Sequence, residues 1–296
     1  MNIAVFGGSF DPPHLGHEEI IKKSLKTLDI DALFVVPTFL NPFKTTSYAS
    51  SEKRFEWIEK LITQYPKAKI LKYEIEQNRS VPTIETIKYL KDNYDIDQIY
   101  LIIGADNLPT LHKWKDYNEL EKLVNFVIAS RSNEKIPKNL QKLDIHVNIS
   151  STKLREKMYK LHHNAVLLKE YLPKSIADEV MEYYNREKMN ERIENIVKIL
   201  DDKKAENIQL FDMKDTDYFV NEVIIATTLG QKHGLALLDY LKKGLKGSES
   251  YFEIEPSDEW SVVDLGDVLI HLMTPEYRAK YNIEDFLSKR DEENID

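Results

Sequence analysis

Short apolar runs alternate with amphipathic segments along the first half of the chain. The apolar runs predict strands at Asn2–Phe6, Leu33–Pro37, Ile70–Ile75, Gln98–Ile103, Asn125–Ala129 and Ile145–Ile149. Between them, apolar residues at helical spacing predict helices near Glu19–Leu28, Ser51–Gln64, Pro82–Asn93 and Asn118–Leu123. Because the strands are almost continuously apolar and alternate with helices, we expect an α/β domain built on a doubly wound, Rossmann-like parallel sheet.

The second half of the chain has a mixed pattern. Strands are predicted at Asn207–Met213, within Tyr218–Thr228, and in a hairpin of Glu259–Leu265 and Asp267–Met273. Helical spacing is found at Arg192–Leu200, Leu229–Lys246, Pro275–Tyr281 and Ile283–Lys289. Helices around a small mixed sheet predict a small α+β domain.

We expect the boundary between the two domains near residue 186. A predicted helix at Pro173–Tyr184 precedes the polar segment Asn185–Lys188, which we interpret as a linker. The expected domains are therefore residues 1–186 and 187–296, and 296 residues are enough for two domains of ordinary size.

The net charge of −9 is unevenly distributed along the chain. Residues 1–188 contain 28 Lys and Arg against 26 Asp and Glu, whereas residues 189–296 contain 13 against 24. An excess of 11 negative charges in the second half disfavours direct binding to nucleic acid, because phosphates would be repelled. The same charge is suited to a basic protein surface.

Composition excludes several classes of protein. The chain has no cysteine, which excludes disulfides, thiolate metal sites and cysteine nucleophiles. No apolar stretch approaches the length of a membrane span, and no basic segment followed by an apolar one opens the chain. We therefore expect a cytoplasmic protein without membrane contacts.

A glycine- and histidine-containing motif lies between the first predicted strand and the first predicted helix. Residues 6–17 read Phe-Gly-Gly-Ser-Phe-Asp-Pro-Pro-His-Leu-Gly-His. Gly7 and Gly8 allow backbone N–H groups to approach an anion, and a helix N-terminus attracts negative charge. His14 and His17 are expected on one helix face, within reach of one phosphate chain. A zinc site at these histidines is the alternative, which the lack of cysteine and of an obvious third ligand disfavours.

A second hydroxyl-rich motif occurs about 130 residues later. Residues 149–155 read Ile-Ser-Ser-Thr-Lys-Leu-Arg before an amphipathic stretch. Ser150, Ser151 and Thr152 can simply cap a helix. Together with Arg155, one turn along, they can also bind a phosphate, and the residues alone leave both readings open.

Further polar residues follow other predicted strands. Lys44 lies beyond the second strand and is either a solvated loop residue or a ligand-binding one. Gly104 and Asp106 follow the fourth strand, where the carboxylate can accept hydrogen bonds from ribose hydroxyls or cap a helix. Trp114 can pack in the core or stack on an aromatic base.

Residues 1–186 resemble the nicotinate-nucleotide adenylyltransferase family. The resemblance is carried by the two motifs, by Gly-Ala-Asp-x-Leu-x-x-Leu-x-x-Trp at 104–114, and by Pro-x-x-x-x-Pro-x-Lys at 37–44. Val81–Thr86 and Ser130–Asn133 depart from the family pattern. The resemblance implies adenylyl transfer from ATP to nicotinate mononucleotide, with release of deamido-NAD and pyrophosphate in NAD biosynthesis. The implied site residues are catalytic His14, His17 and Arg155; ATP-binding Gly7, Gly8, Ser9, Phe10, Gly104, Asp106, Ser150, Ser151 and Thr152; and substrate-binding Lys44, Thr83 and Trp114.

The implied reaction needs no side-chain nucleophile, because the 5′-phosphate of the mononucleotide attacks the α-phosphorus of ATP. Catalysis is then in-line positioning and charge stabilisation. We expect Mg²⁺ to accompany ATP, bound by phosphate oxygens and water. The alternative is an enzyme of dual nicotinamide and nicotinate mononucleotide specificity. The pattern of residues 104–114 does not suit pantetheine-phosphate or cytidylyl-transferring relatives.

The second half resembles the ribosomal silencing factor, or Iojap-related, family. The longest match is Trp-x-x-x-Asp-x-Gly-Asp-x-x-x-His at Trp260–His271, with shorter ones at Asp217–Val220, Ile224–Thr227 and Glu276–Glu284. The resemblance implies a module that binds a protein of the large ribosomal subunit and blocks subunit joining. Asp264 and Asp267 are our candidates for the ribosome contact. The alternative is a dimerisation or regulatory domain for the enzyme, and a homodimer is plausible for both families.

Overall fold

The computed structural model describes residues 1–42, 44, 46–131, 136–137, 140–147, 149–160, 165–214 and 216–292. The chain divides into two compact units, Met1–Arg186 and Glu187–Asp296. Among the residues described, no helix has the length and apolar character needed to cross a membrane.

The first unit is built on a parallel sheet. Its strands are β1 (Asn2–Gly8), β2 (Ala32–Pro37), β3 (Ala68–Ile70), β4 (Gln98–Gly104), β5 (Asn125–Ser130) and β6 (Gln141–Asp144). Their order in the sheet is β3-β2-β1-β4-β5-β6, and every neighbouring pair is parallel. The predicted Rossmann-like fold is confirmed.

Helices cover both faces of this sheet. They are α1 (Leu15–Thr27), α2 (Ser51–Ile62), α3 (Tyr73–Glu76), α4 (Thr83–Asn93) and α5 (Tyr117–Leu123), with a 3-10 helix at Ala105–Lys113. The helix α6 (Ser151–Lys160) and a 3-10 helix at Ala165–Tyr171 pack instead in a separate cluster with Trp57 of α2. Side chains alternate along a strand, so Ile3 and Val5 of β1 pack in one core with Leu90 of α4. Ala4 of β1 packs in the opposite core with Ile21 of α1. The doubly wound arrangement follows from this two-sided burial.

Two of the predicted strands are displaced. The expected strand Ile70–Ile75 ends at Ile70, and the short helix α3 follows and buries Ile75. The expected strand Ile145–Ile149 is replaced by β6 at Gln141–Asp144. Ile145 and Ile149 are apolar for another reason, since they belong to two different core clusters. Asn148, within that prediction, lies outside the described residues.

The second unit contains a mixed sheet. Its strands are β7 (Glu206–Asp212), β8 (Glu222–Thr227), β9 (Glu253–Glu255), β10 (Trp260–Asp264) and β11 (Val268–Met273). The order is β7-β8-β11-β10-β9, in which β8 and β11 are parallel and the other pairs antiparallel. The predicted α+β fold is confirmed. The sequence pattern missed β9, a three-residue edge strand.

The remaining helices are α7 (Ala177–Asp202), α8 (Gln231–Gly244), α9 (Pro275–Tyr281) and α10 (Ile283–Glu292). The interpretation of Asn185–Lys188 as a linker is wrong, because these residues are helical and belong to α7. Arg, Glu and Lys are good helix formers, and Arg186 pairs with Glu182 at 2.9 Å, one turn earlier.

Candidate functional site

The sheet order places the candidate site at the carboxyl ends of β1 and β4. These strands are neighbours at the centre of the sheet, with Phe6 opposite Ile102, so Gly8 and Gly104 end side by side. The strand order reverses direction between β1 and β4, and in open α/β sheets ligands bind in the crevice at such a reversal. The loop of residues 9–14 leaves β1 at this edge, and the exposed Asp106 lies just beyond β4. The structure thus brings together residues that are far apart in the chain.

Gly7 and Gly8 lie inside β1, which ends two residues later than the predicted strand Asn2–Phe6, so the loop begins at Ser9. An added Cβ at Gly8 would lie 3.1 Å from the Phe10 ring, a tight contact that would push the ring from its position. Phe10 adopts a positive φ of 49°, and its ring is buried against Phe6 at 5.4 Å and His17 at 4.9 Å between centroids. The aromatic ring therefore folds back over the glycine and shapes the loop.

The two motif histidines form a stacked pair at the start of α1. Their ring centroids are 3.7 Å apart with an interplanar angle of 17°. The backbone N–H of His14 donates to Nδ1 of His17 at 3.2 Å. Because that nitrogen accepts, a neutral His17 carries its proton on Nε2 and can donate it to a ligand.

His14 is fully buried, and neither of its ring nitrogens has a hydrogen-bond partner among the described residues. Buried polar atoms are almost always paired, so an unpaired one marks a position where a ligand or water completes the contacts. Burial lowers the pKa of His14 to about 3. Burial and the neighbouring His14 lower the pKa of His17 well below its usual value. Both imidazoles are neutral near pH 7, and each has one N–H to donate.

The second motif packs against the loop that follows β1. Ser151 Oγ donates to the carbonyl oxygen of Pro12 at 2.9 Å, and Arg155 Nη1 donates to that of Asp11. Arg155 Nη2 also donates to Thr152 Oγ1 at 3.5 Å. Ser150 Oγ accepts the backbone N–H of Lys153 at 3.3 Å, so Ser150 caps α6. The two motifs meet at the same edge of the sheet.

Basic side chains surround this meeting point. The pKa of Lys44 is lowered by burial and by Arg155, while Asp11 raises it, which places Lys44 within electrostatic range of both. Arg131, which follows β5, lowers the pKa of both His14 and His17. Arg131 was not among the site residues predicted from the sequence, although its position directly after a strand at the ligand edge was a signal for it. Ser132 and Asn133 of the same segment lie outside the described residues.

Thr83 and Trp114, the two predicted residues of the nicotinate pocket, lie on two segments of the chain that are connected by an ion pair. Thr83 is the first residue of α4, and Trp114 directly follows the 3-10 helix Ala105–Lys113. Lys115 pairs with Glu85 at 3.0 Å between these segments. Trp114 packs against the core, and its indole N–H is buried without a partner among the described residues. The indole can therefore complete a hydrogen bond to a ligand.

The described residues contain no group of three or more His, Asp or Glu side chains that could hold a metal ion. The charged groups assembled here are three cations, Lys44, Arg131 and Arg155, and one carboxylate, Asp11. Such a set of side chains does not form a cage of protein carboxylates. It fits a divalent cation that is bound by ligand phosphates and water.

In the second unit, the candidate contact residues have structural partners. Asp264 Oδ1 accepts the backbone N–H of Gly266 at 2.7 Å and stabilises the turn in which Gly266 has a φ of 89°. Asp267 Oδ1 pairs with Arg192 Nη1 at 2.6 Å, and Arg192 also binds both carboxylate oxygens of Glu249.

The histidine of the longest second-unit match is also satisfied within the fold. Trp260 Nε1 donates to the buried Nδ1 of His271 at 3.0 Å. Burial lowers the pKa of His271 to about 4, so its ring is neutral near pH 7. Trp260 and His271 therefore form a structural pair across the β10–β11 hairpin.

Comparison with known proteins agrees with this division of the chain. Residues 5–157 match the family described as "Cytidylyltransferase-like", and residues 186–296 match "Ribosomal silencing factor during starvation". A probable nicotinate-nucleotide adenylyltransferase of a Nitratiruptor species is 46% identical over 184 residues, which cover 62% of this chain and 99% of the relative. Its counterpart in Campylobacter fetus subsp. fetus is 49% identical, with 62% and 97% coverage.

A solved structure supports the fold of the first unit. Plasmodium falciparum nicotinic acid mononucleotide adenylyltransferase, complexed with NaAD, aligns with a TM-score of 0.51 and 24% identity, covering 62% of this chain and 97% of that one. The chain therefore belongs to the cytidylyltransferase-like family, as a member of its nicotinate-nucleotide adenylyltransferases, and carries a ribosomal silencing factor domain at its carboxyl-terminal end.

Proposed function

We propose that the first unit transfers the adenylyl group of ATP to nicotinate mononucleotide, releasing pyrophosphate and forming deamido-NAD. The observation that carries this proposal is the contact between the two motifs. Ser151 and Arg155 bind the loop of residues 9–14 directly beside the stacked His14 and His17. Backbone N–H groups, a helix N-terminus, neutral imidazoles and cations then converge on one place, as binding of a triphosphate requires.

Each predicted residue has a role in this proposal. The backbone of Gly7, Gly8, Ser9 and Phe10 and the start of α6 at Ser150–Thr152 bind the phosphates, and Asp106 accepts hydrogen bonds from the ribose. An added Cβ at Gly104 would displace the Asp106 carboxylate from its present position. Thr83 and the free indole N–H of Trp114 contribute to the nicotinate pocket, and Lys44 binds substrate phosphate.

The geometry supports a mechanism without acid–base catalysis. The mononucleotide phosphate is already an anionic nucleophile, so the site has to align it with the α-phosphorus and stabilise the departing pyrophosphate. His14 and His17 donate as neutral imidazoles, so they need not change protonation state during turnover. Arg155 supplies fixed positive charge. Mg²⁺, bound by the phosphates, would supply further charge neutralisation.

The test is pyrophosphate release by the full chain with ATP and either nicotinate or nicotinamide mononucleotide. We expect efficient turnover with the nicotinate compound. Equal use of both compounds would change the assignment to a dual-specificity enzyme. No release with either would refute adenylyl transfer to a pyridine mononucleotide.

For the second unit, we propose binding to a protein of the large ribosomal subunit, which would block subunit joining. The family match over residues 186–296 and the excess of negative charge support a basic protein partner. Asp264 and Asp267 remain candidate contacts through the parts of their side chains that stay accessible. Both proposed activities would operate in the cytoplasm.

Co-sedimentation of the full chain with large ribosomal subunits at low salt tests this second proposal. We expect binding that weakens as salt is raised, because the attraction is electrostatic. Failure to sediment, together with loss of a dimer when residues 187–296 are deleted, would favour the dimerisation or regulatory alternative.

A further inference from the structure

Two charged side chains are buried beneath the loop that follows β1. Asp11 is 2% exposed, and Arg54, on α2, is 1% exposed. Charged side chains are almost never buried to this extent unless they are paired and hydrogen-bonded. Neither has a place in the proposed binding of ATP or mononucleotide, so their burial calls for another explanation.

Arg54 joins the loops that follow β1 and β2. Its Nη1 donates to the carbonyl oxygens of Ser9 and Thr38, both at 2.7 Å, and its Nη2 donates to that of Phe39 at 2.7 Å. Its Nε donates to the carbonyl oxygen of Ala49 at 3.1 Å. The rigid, planar fork of a guanidinium can serve this many acceptors at once, whereas an ammonium group is a single point of charge. Arg54 thereby fixes the position of Ser9.

Asp11 gathers a second set of donors around the same loop. Its carboxylate accepts the backbone N–H groups of Tyr48 at 2.9 Å and Ala49 at 3.1 Å, and the hydroxyl of Tyr184 at 2.7 Å. Arg155 Nη1 lies 3.8 Å from the carboxylate and donates to the Asp11 carbonyl. Asp11 therefore links Tyr184 of α7 to Arg155 of the second motif.

The loop needs this support because its backbone is unusual at Phe10. A φ of 49° is uncommon for an aromatic residue and persists only where the surroundings hold it. Ser9 on one side of Phe10 is held by Arg54. Asp11 on the other side is held by Tyr184 and Arg155.

Building on the proposed adenylyl transfer, we propose that Asp11, Arg54 and Tyr184 are positioning residues for the triphosphate of ATP. They touch no substrate. They hold the backbone N–H groups of Ser9 and Phe10 and the guanidinium of Arg155 where the phosphates bind. Loss of the Tyr184 hydroxyl, which among the described residues hydrogen-bonds only to Asp11, should therefore act on ATP and leave recognition of the mononucleotide intact.

The most selective test is Tyr184→Phe in the full chain, because it removes one hydroxyl. We expect the Kd of ATP, measured by calorimetry, and the KM for ATP each to rise about tenfold, the scale of one lost hydrogen bond to a charged group. The KM for nicotinate mononucleotide should not change. Tyr100→Phe is the matched control: its hydroxyl donates to Gln98 at 2.9 Å, at the opposite end of β4, and its loss should change neither constant.

Arg54→Lys is the second variant, because it keeps the positive charge and loses the planar guanidinium that donates to several carbonyl oxygens at once. We expect a larger rise in the Kd of ATP than Tyr184→Phe produces. If Arg54→Lys does not fold, Tyr184→Phe still decides the question.

A Tyr184→Phe protein with wild-type Kd and KM for ATP would overturn the inference. A Tyr184→Phe protein with a smaller fraction of active molecules but both KM values unchanged would also overturn the inference, because that result indicates that Tyr184 only stabilises the fold. If the wild-type chain binds ATP without transferring an adenylyl group, the proposed function fails, and the comparison of Kd values still tests the positioning network. A wild-type chain that does not bind ATP refutes both.

Discussion

Replacing His17 with alanine removes a donor that the structure has prepared in one tautomer. His17 Nδ1 accepts the backbone N–H of His14 at 3.2 Å, which leaves Nε2–H for a phosphate oxygen. Charge on that oxygen grows as the bond to pyrophosphate breaks. Loss of one such donor costs about 3 kcal/mol of transition-state stabilisation, or a reduction in kcat of roughly one hundredfold.

The assay is the steady-state rate of pyrophosphate release at saturating ATP and nicotinate mononucleotide. His17→Gln retains an amide donor, so we expect it to recover part of the lost rate. His146→Ala is the control, because the His146 side chain is exposed, and its kcat should match that of the wild type. A near-normal kcat for His17→Ala, in a chain that melts like the wild type, would refute the donor role.

Three further predictions concern pH and stability. Because burial lowers the pKa of His14 to about 3, its ring stays neutral at physiological pH. The pH profile of kcat/KM should therefore show no histidine titration near the usual histidine pKa of about 6.5. A histidine titration at that pH would contradict a buried, neutral pair. Burial raises the pKa of the Glu74 carboxyl from 4.5 to about 7, so the folded state holds this proton more tightly than the unfolded state. The resulting contribution to the free energy of unfolding, about 3 kcal/mol, is complete below pH 4.5 and is lost as pH rises through 7. Glu74→Gln should remove that dependence from the thermal midpoint, whereas an unchanged dependence would contradict it. Arg192→Ala should destabilise the second unit by about 3 kcal/mol in chemical unfolding, because it leaves the side chain of Glu249, which is 6% exposed, without its partner. Arg186→Ala breaks an exposed ion pair and should have little effect in the same experiment.

The alternation of apolar strands and amphipathic helices was enough to predict the parallel sheet of the first unit. Strands such as β1 bury both faces, and a pattern of this kind suits few other arrangements. The errors arose where apolar residues serve other contacts. Ile75 is buried by a short helix, and Ile145 and Ile149 pack in separate clusters beyond β6.

The sequence was also enough to predict that both motifs bind ATP, but it could not reveal which buried contacts hold them in place. Arg54 occupies a core-facing position of α2, where an amphipathic pattern predicts an apolar residue. Only the three-dimensional structure shows that four backbone carbonyls converge on it. In the same way, the burial of His14 depends on tertiary packing, so its neutral state could not be read from spacing.

The proposed function requires ATP to bind between the loop after β1 and the start of α6. Hydrogen exchange of the full chain, with and without ATP, measures this directly. We predict that ATP slows exchange of the backbone amides in Ser9–Asp11 and in Ser151–Arg155 together. Protection of only one of these segments, or of neither, would contradict binding of ATP between them.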